Sequence, residues 1–583
     1  MLVATRRSNA WRLYRLDAPG AEPTAVTPDE PGIAVTTPAD ATAAFEPLRG
    51  EVFVYRRDVA AGRERHQIFR QAFDGGAPVL LTDGASFHGV PVWSRDGRFI
   101  AYESTARNGR DRDIWVAEPQ RPGSARLLAA LEGVWSVLDW APDHRRLLAL
   151  ERRSATDARL WVVDAATAER RPIAPANGPA AIAAARFAPD GRVYVVTDEA
   201  AEYRRLARID PASGRVEILT PALAADVEDF DLSPDGRLLA YVANEEGVGR
   251  LRLLDTSTRA ERPLPGLPGG SVLEVRWHPR GGKLAFDVES SRHPRDVYSL
   301  DVATGRVSRW TRSETGGIDT SALAEAELVR WKSADGLVVS GFLYRPPARF
   351  TGRRPVLVNI HGGPEEQARP RFLGRSNYFL DELGVAIVYP NVRGSRGFGR
   401  TFLRLDDGFG RQGAIEDIGT LLDWIAARPD LDPSRVMLTG PSYGAFLSLA
   451  AAAAYPDRVR CVFAGFGMSN LVTFLERTDP MRRDYRRAEY GDERDPAMRA
   501  FLERISPLGR ADRLRMPIFL AHAENDVVVP VQESEQMATA LERSGRPPWF
   551  LVARAEGHGF GARANEEFMM AAWAYFMRKH LLD

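Results

Sequence analysis

Residues able to make a nucleophile cluster in the C-terminal half of the chain. Gly440-Pro-Ser-Tyr-Gly444 follows the apolar run Val436-Met-Leu438 and precedes the small-residue stretch Ala450–Ala454, a strand, sharp turn and helix matching the G-x-S-x-G elbow that exposes a serine hydroxyl. A serine hydroxyl is a weak nucleophile on its own; it needs a base to take its proton and a third group to orient that base. His558, between Gly557 and Gly559, and Asp526, in Glu524-Asn-Asp-Val-Val-Val-Pro530, supply both in the chain order Ser, Asp, His. Glu524 competes with Asp526, but Val-Val-Val-Pro after Asp526 favours the aspartate at the turn. His361-Gly-Gly-Pro364 reads as an oxyanion loop, with the amides of Gly363 and Tyr443 as donors. Each such donor is worth about 3 kcal/mol to a developing negative charge. His361 and His522 are competing bases by type and read as structural. No metal-ligand spacing occurs, and no cofactor is expected.

These residues must be held by something. Pro355–Ile360, Val385–Tyr389, Val436–Leu438, Val462–Ala464, Ile518–Leu520 and Trp549–Val552 read as strands, alternating with helices such as Ala414–Ala427 and Gln532–Ser544. That alternation predicts a mostly parallel sheet covered on both faces, with Ser442, Asp526 and His558 at strand ends, as in an α/β-hydrolase domain.

The N-terminal half has a different rhythm. Val92-Trp-Ser-Arg-Asp-Gly97, Phe187-Ala-Pro-Asp-Gly191 and Leu232-Ser-Pro-Asp-Gly236 are copies of one phrase, each followed by a second apolar strand. Trp140-Ala-Pro-Asp-His144, Trp277-His-Pro-Arg-Gly281 and Phe45-Glu-Pro-Leu-Arg-Gly50 are variants. The turn-proline position, an arginine in one copy, falls at 47, 95, 142, 189, 234 and 279, so the spacing runs 48, 47, 47, 45, 45. A second hairpin after each copy, as in Arg159–Asp164, Gly249–Asp255 and Asp296–Asp301, makes four short strands per period, the pattern of a β-propeller blade. Trp11–Asp17 is a further second hairpin without a recognisable first strand, so seven blades are predicted, with six as the alternative. The expected division is a β-propeller over 1–315, a linker over about 316–325 and a catalytic domain over 326–583. Glu245 and Glu246, and Arg107, Arg110 and Arg112, read as solvated turn residues rather than ligand anchors.

Balanced charge, 78 basic against 78 acidic residues in 583, argues against nucleic acid or an anionic membrane as partner. The single cysteine, Cys461, lies in an apolar run and reads as a buried strand residue; no intrachain disulfide can form, and nothing requires an oxidising compartment. The N-terminus lacks the apolar core of a signal peptide and no window reads as a membrane span, so a cytoplasmic location is expected.

Trp331-Lys-Ser-Ala-Asp-Gly336, His361-Gly-Gly-Pro364, Asn391-Val-Arg-Gly-Ser-Arg-Gly-Phe-Gly399, Gly440–Gly444, Asp526 and Gly557-His558-Gly559, joined to a propeller, resemble the prolyl oligopeptidase family of serine peptidases, most closely its acylaminoacyl peptidase branch. The resemblance spans essentially the whole chain. It implies cleavage of short peptides, with a propeller restricting entry to a cavity between domains, and an apolar pocket lined by Tyr443, Met468, Leu471, Phe474 and Val529. Assembly into a homo-oligomer is common in such a family, and the oligomeric state stays open. Two departures stand out: Pro441 and Ala445 replace glycines usual at the elbow, and Val528 stands where an arginine is common. Esterase, dipeptidyl peptidase and carboxypeptidase chemistry on the same triad remain alternatives.

Overall fold

The structure, a computed structural model, describes residues 1–5, 12–27 and 43–583. The chain divides into two compact units. The first comprises Met1–Val288, Arg295–Ser313 and Pro480–Tyr485; the second comprises Glu289–Pro294, Glu314–Asp479 and Arg486–Asp583.

The first unit is a seven-bladed β-propeller. Six of its sheets have four strands joined in sequence order, and the N-terminal sheet has three among the described residues. In that sheet Leu2–Thr5 pairs with Arg12–Arg15, which pairs with Thr24–Ala25. Trp11, the start of the hairpin noted in the sequence, lies outside the described residues. First strands of successive blades pack side by side, as Val134–Trp140 does with Ile182–Phe187 and that with Asp226–Leu232.

The repeated phrase has a local mechanical cause. In each Asp-Gly turn, and in the Asp-His turn, the aspartate accepts the backbone N–H two residues on: Asp96 from Arg98, Asp143 from Arg145, Asp190 from Arg192, Asp235 from Arg237. The next residue takes a left-handed φ, 68° at Gly97, 81° at Gly191 and 74° at Gly236. His144 occupies that place at 57°. The tryptophans of the phrase stitch blades together: the Trp93 indole donates to Ala44 O at 2.9 Å, Trp140 to Val92 O at 3.0 Å and Trp277 to Asp231 O at 3.2 Å.

Glu245 and Glu246 sit at a hairpin turn, where Glu245 pairs with Arg252 at 2.6 Å. Arg107 and Arg110 pair with Asp113 and Asp111. Arg112 departs from the expected solvated turn: it is part-buried, its guanidinium 4.5 Å from the centre of the Phe87 ring, because the apolar face of Phe87 covers it.

The second unit is built on an eight-stranded sheet. Its spatial order runs Glu327–Lys332, Val338–Tyr344, Ala386–Asn391, Arg354–Asn359, Leu431–Pro441, Cys461–Gly465, Ile518–Ala523, Trp549–Ala553. The first strand pairs antiparallel with the second, and the second antiparallel with the third; every later pair is parallel. The helices Arg411–Ala427 and Tyr443–Ala454 bury their apolar sides in one large cluster with Val356, Val358, Val436 and Leu438, and Arg563–Met577 packs Trp573 and Phe576 into a second with Leu357, Met437 and Phe519. Both faces of the sheet are therefore covered, which is why its central strands are continuously apolar. Cys461 is wholly buried on its strand, and burial pushes its thiol up to about 12. No helix among the described residues is long and apolar enough to cross a membrane.

Candidate active site

The Leu431–Pro441 strand runs straight into Ser442, and the Tyr443–Ala454 helix begins at the next residue. Ser442 is held at φ 55°, ψ −120°, a conformation costly for a side-chain-bearing residue, and its N–H is tied to Gly465 O at 2.8 Å. The glycines on either side are required by contact: a Cβ on Gly440 would lie 2.3 Å from Ile360 O, and one on Gly444 2.1 Å from the same oxygen. The loop after Arg354–Asn359 thus passes against the elbow, and a Cβ on Gly362 would stand 3.6 Å from Ser442 Cβ. Gly363 has φ 116°, with its carbonyl accepting from Tyr490 Oη at 3.4 Å and Arg486 Nη1 at 3.4 Å. Tyr443 is the first residue of its helix, so its N–H has no partner within the helix and is free to serve as an anion donor.

Asp526 and His558 come together from two strand ends. His558 Nδ1 lies 2.6 Å from Asp526 Oδ2, with the carboxylate fully buried and the imidazole partly exposed. Asp526 Oδ1 accepts the N–H groups of Val528 and Val529, each at 2.9 Å. Burial alone would raise its carboxyl; the charge of His558, the hydrogen bonds from His522 and His558 and the charge of His522 outweigh it and hold the group well below the usual carboxylate range. Glu524 is exposed, and its N–H pairs with Ala553 O. Ser442 and His558 share no hydrogen bond, an open arrangement common before substrate is present.

His522 has a place that its sequence context did not reveal. It is buried, with Nε2 at 2.9 Å from Val529 O and 3.3 Å from Asp526 Oδ2, and Nδ1 at 2.7 Å from Ser534 Oγ. It braces the aspartate that faces His558; the only hint is its i, i+4 spacing to Asp526. His361 is tied by both ring nitrogens, to Gly362 O at 2.8 Å and Ser395 Oγ at 2.7 Å. Burial lowers its pKa.

Met468, Leu471, Phe474 and Val529 are buried and belong, with Tyr443, to the large apolar core on one face of the sheet. Phe474 and Tyr490 meet edge to face at 5.5 Å, Tyr443 and Tyr490 at 6.1 Å. Behind these rings lies a polar group that no motif announced. Arg411, wholly buried, donates to Asp406 Oδ2 at 2.8 Å, to Glu489 O at 3.0 Å and to Glu489 Oε1 at 3.1 Å. Burial pushes the Asp406 carboxyl up to about 6 against the pull of Arg411. Asp406, Asp407 and Glu489 bring oxygens within 4.8 Å of one another, a spacing that could hold a metal ion, but Arg411 already supplies the positive charge there.

Residues 371–583 match the sequence profile of the prolyl oligopeptidase family. Dipeptidyl aminopeptidase BIII of Pseudoxanthomonas mexicana is 25% identical over 405 residues, covering 67% of this chain and 58% of that protein. Dipeptidyl peptidase family member 6 of Caenorhabditis elegans is 30% identical over 208 residues, 35% of this chain and 28% of that one. The chain therefore spans less than two thirds of the length of these relatives. Among solved structures, a puromycin hydrolase superposes with a TM-score of 0.85 at 22% identity, covering 98% of this chain and 90% of that one. A prolyl endopeptidase does so with a TM-score of 0.85 at 17% identity, covering 99% and 87%. These likenesses cover propeller and sheet alike, while the match to the prolyl oligopeptidase family falls on the domain bearing Ser442, Asp526 and His558.

Proposed function

We propose that the protein is a serine peptidase that hydrolyses short peptides through an acyl-enzyme on Ser442. The observation that carries this reading is the buried, ionised Asp526 bonded to His558 Nδ1 at 2.6 Å, in the domain whose elbow holds Ser442 at φ 55°. With Nδ1–H donated to the aspartate, His558 keeps Nε2 as the acceptor for the Ser442 proton. Ser442 Oγ adds to the scissile carbonyl, the N–H groups of Tyr443 and Gly363 meet the oxyanion, and His558 returns the proton to the departing amine. Water, activated by the same imidazole, then releases the acyl group. Met468, Leu471, Phe474 and Val529 form the apolar wall that receives the side chain before the scissile bond. No step uses a metal or an organic cofactor.

Release of N-acylated or apolar residues is the first substrate reading. Release of dipeptides is the second, favoured by the names of the Pseudoxanthomonas and Caenorhabditis relatives. An esterase using the same triad is the third outcome. The domain limits 1–315 and 326–583, the cytoplasmic location and a homo-oligomeric state belong to this proposal; the single cysteine supports the location.

The test is turnover of N-acetyl-alanyl, N-acetyl-leucyl and N-acetyl-phenylalanyl p-nitroanilides beside free-amine dipeptidyl p-nitroanilides and p-nitrophenyl esters, by the wild type and Ser442→Ala. Ser442→Ala is expected to keep the fold and lose roughly 10³-fold or more in kcat. Full activity in that variant overturns the proposal, and turnover of esters alone moves the protein to the esterase class.

A further inference from the structure

The buried polar group behind the elbow touches both expected oxyanion donors. On one side the Tyr443 hydroxyl donates to Asp406 Oδ2 at 3.1 Å, and Asp406 is held by Arg411 Nη1 at 2.8 Å. On the other, the Tyr490 hydroxyl donates to the Gly363 carbonyl at 3.4 Å, and the Arg411 guanidinium lies 4.3 Å from the centre of the Tyr490 ring. The same guanidinium is 5.2 Å from the Tyr443 ring and grips Glu489, the residue before Tyr490, by its carbonyl and its carboxylate. Arg411 begins one helix, Tyr443 begins another and Tyr490 ends a third, so one side chain joins three elements that share no sequence proximity.

Oxyanion stabilisation depends on placement: a donor displaced by a fraction of an ångström loses much of its advantage, because the gain arises from dipoles already aimed at the forming charge. Tyr443 begins a helix and Gly363 lies in the loop after a neighbouring strand. The pairing of the two strands and the packing of Ile360 O against Gly440 and Gly444 bring them together from one side, and the Arg411 group ties them from behind. We propose that Arg411 is a positioning residue for the oxyanion pocket, holding Tyr443 through Asp406 and Gly363 through Tyr490 at the spacing the developing charge requires. The inference rests on the serine-hydrolase reading of Ser442. A planar guanidinium suits the task better than an ammonium, which keeps the charge but not the fork, since it binds two carboxylates and faces two rings at once.

The test uses the full chain and four variants: Tyr443→Phe, Tyr490→Phe, Arg411→Lys and Arg411→Met. The two phenylalanine variants remove a single hydroxyl each and leave ring and backbone in place. Each is expected to lower kcat by about 10-fold with KM changed by less than about twofold, because the lost contact acts on the transition state rather than on the bound substrate. The double phenylalanine variant should fall further, and Arg411→Lys should recover part of the activity lost in Arg411→Met. If the phenylalanine variants melt at lower temperature yet keep kcat within about twofold of the wild type, the group is only structural and the proposal is overturned, whatever becomes of Arg411→Met. All variants are also read by p-nitrophenyl ester turnover and by the rate of labelling with a fluorophosphonate. A wild type that labels and cleaves esters but not peptides defeats the peptidase reading and leaves this inference standing on the ester data. A wild type that neither labels nor cleaves defeats both.

Discussion

Asp526 is a carboxylate kept charged in a place that excludes water. It stays so because two backbone N–H groups and two imidazoles converge on it, and taking away one partner of such a set leaves the rest buried and unmatched. Its folded-state pKa lies below the unfolded-state value, so ionised Asp526 contributes stability that is present above the unfolded pKa and lost as pH falls through the folded one. The expected consequence is that the urea midpoint of the wild type falls more steeply than that of Asp526→Asn between about pH 5 and about pH 3. Parallel slopes for the two proteins would show that the network adds nothing to the fold. His522 has both ring nitrogens committed within the buried shell, whereas His558 meets Asp526 through Nδ1 alone.

At the scale of elements, the blade turn and the elbow solve opposite problems. The turn needs a left-handed residue, and glycine supplies it at Gly97, Gly191 and Gly236 without strain. His144 takes the same conformation at φ 57° in the fourth sheet, with its Nδ1 buried and without a hydrogen-bond partner. His144→Gly is therefore expected to stabilise the protein by about 0.5–1 kcal/mol, seen as a higher melting temperature with unchanged activity. A lower melting temperature would show that the imidazole packing outweighs the backbone relief. At the elbow the strain is retained: Ser442 adopts a positive φ with a full side chain, and Gly440 and Gly444 clear the path past Ile360 O so that the turn can close. The Arg393 side chain anchors the neighbouring loop in the same manner as Arg411, through Asp417 and Asp335, with Ser333 bonded to both Arg393 and Asp417.

At the scale of the molecule, the two units are not consecutive blocks of sequence. Glu289–Pro294 belongs to the second unit although propeller strands flank it on both sides. There Ser291 Oγ accepts Ala326 N–H at 3.2 Å, Arg292 Nε donates to Leu323 O at 2.9 Å and Glu289 Oε1 accepts Phe372 N–H at 3.3 Å. A catalytic fragment cut at residue 316 loses all three contacts. It is expected to melt several degrees below the intact chain, on the order of 2–4 °C for each kcal/mol lost, by calorimetry or circular dichroism. Equal melting temperatures would mean that the segment contributes nothing to the second unit.

What the sequence determined by itself was whatever depends on short stretches of chain. The Asp-Gly turns recur because an aspartate and a left-handed residue close that turn locally, so six blades could be read from spacing, and the seventh was expected from the hairpin Trp11–Asp17, with six as the alternative. Ser442 stood out because a strand-to-helix elbow demands glycines at fixed offsets, and Asp526 and His558 because each follows a strand of the sheet. Tertiary structure alone decided the rest. Glu524 and Asp526 are two residues apart and chemically alike, and only folding leaves one exposed and binds the other to His558. Arg411, Asp406, Glu489 and Tyr490 carry no motif, because a buried ion pair is selected by the packing of distant helices rather than by local conformation. The exchange of Glu289–Pro294 and Pro480–Tyr485 between units left no mark in composition, since which core a segment joins is settled by long-range contact after its own secondary structure is complete.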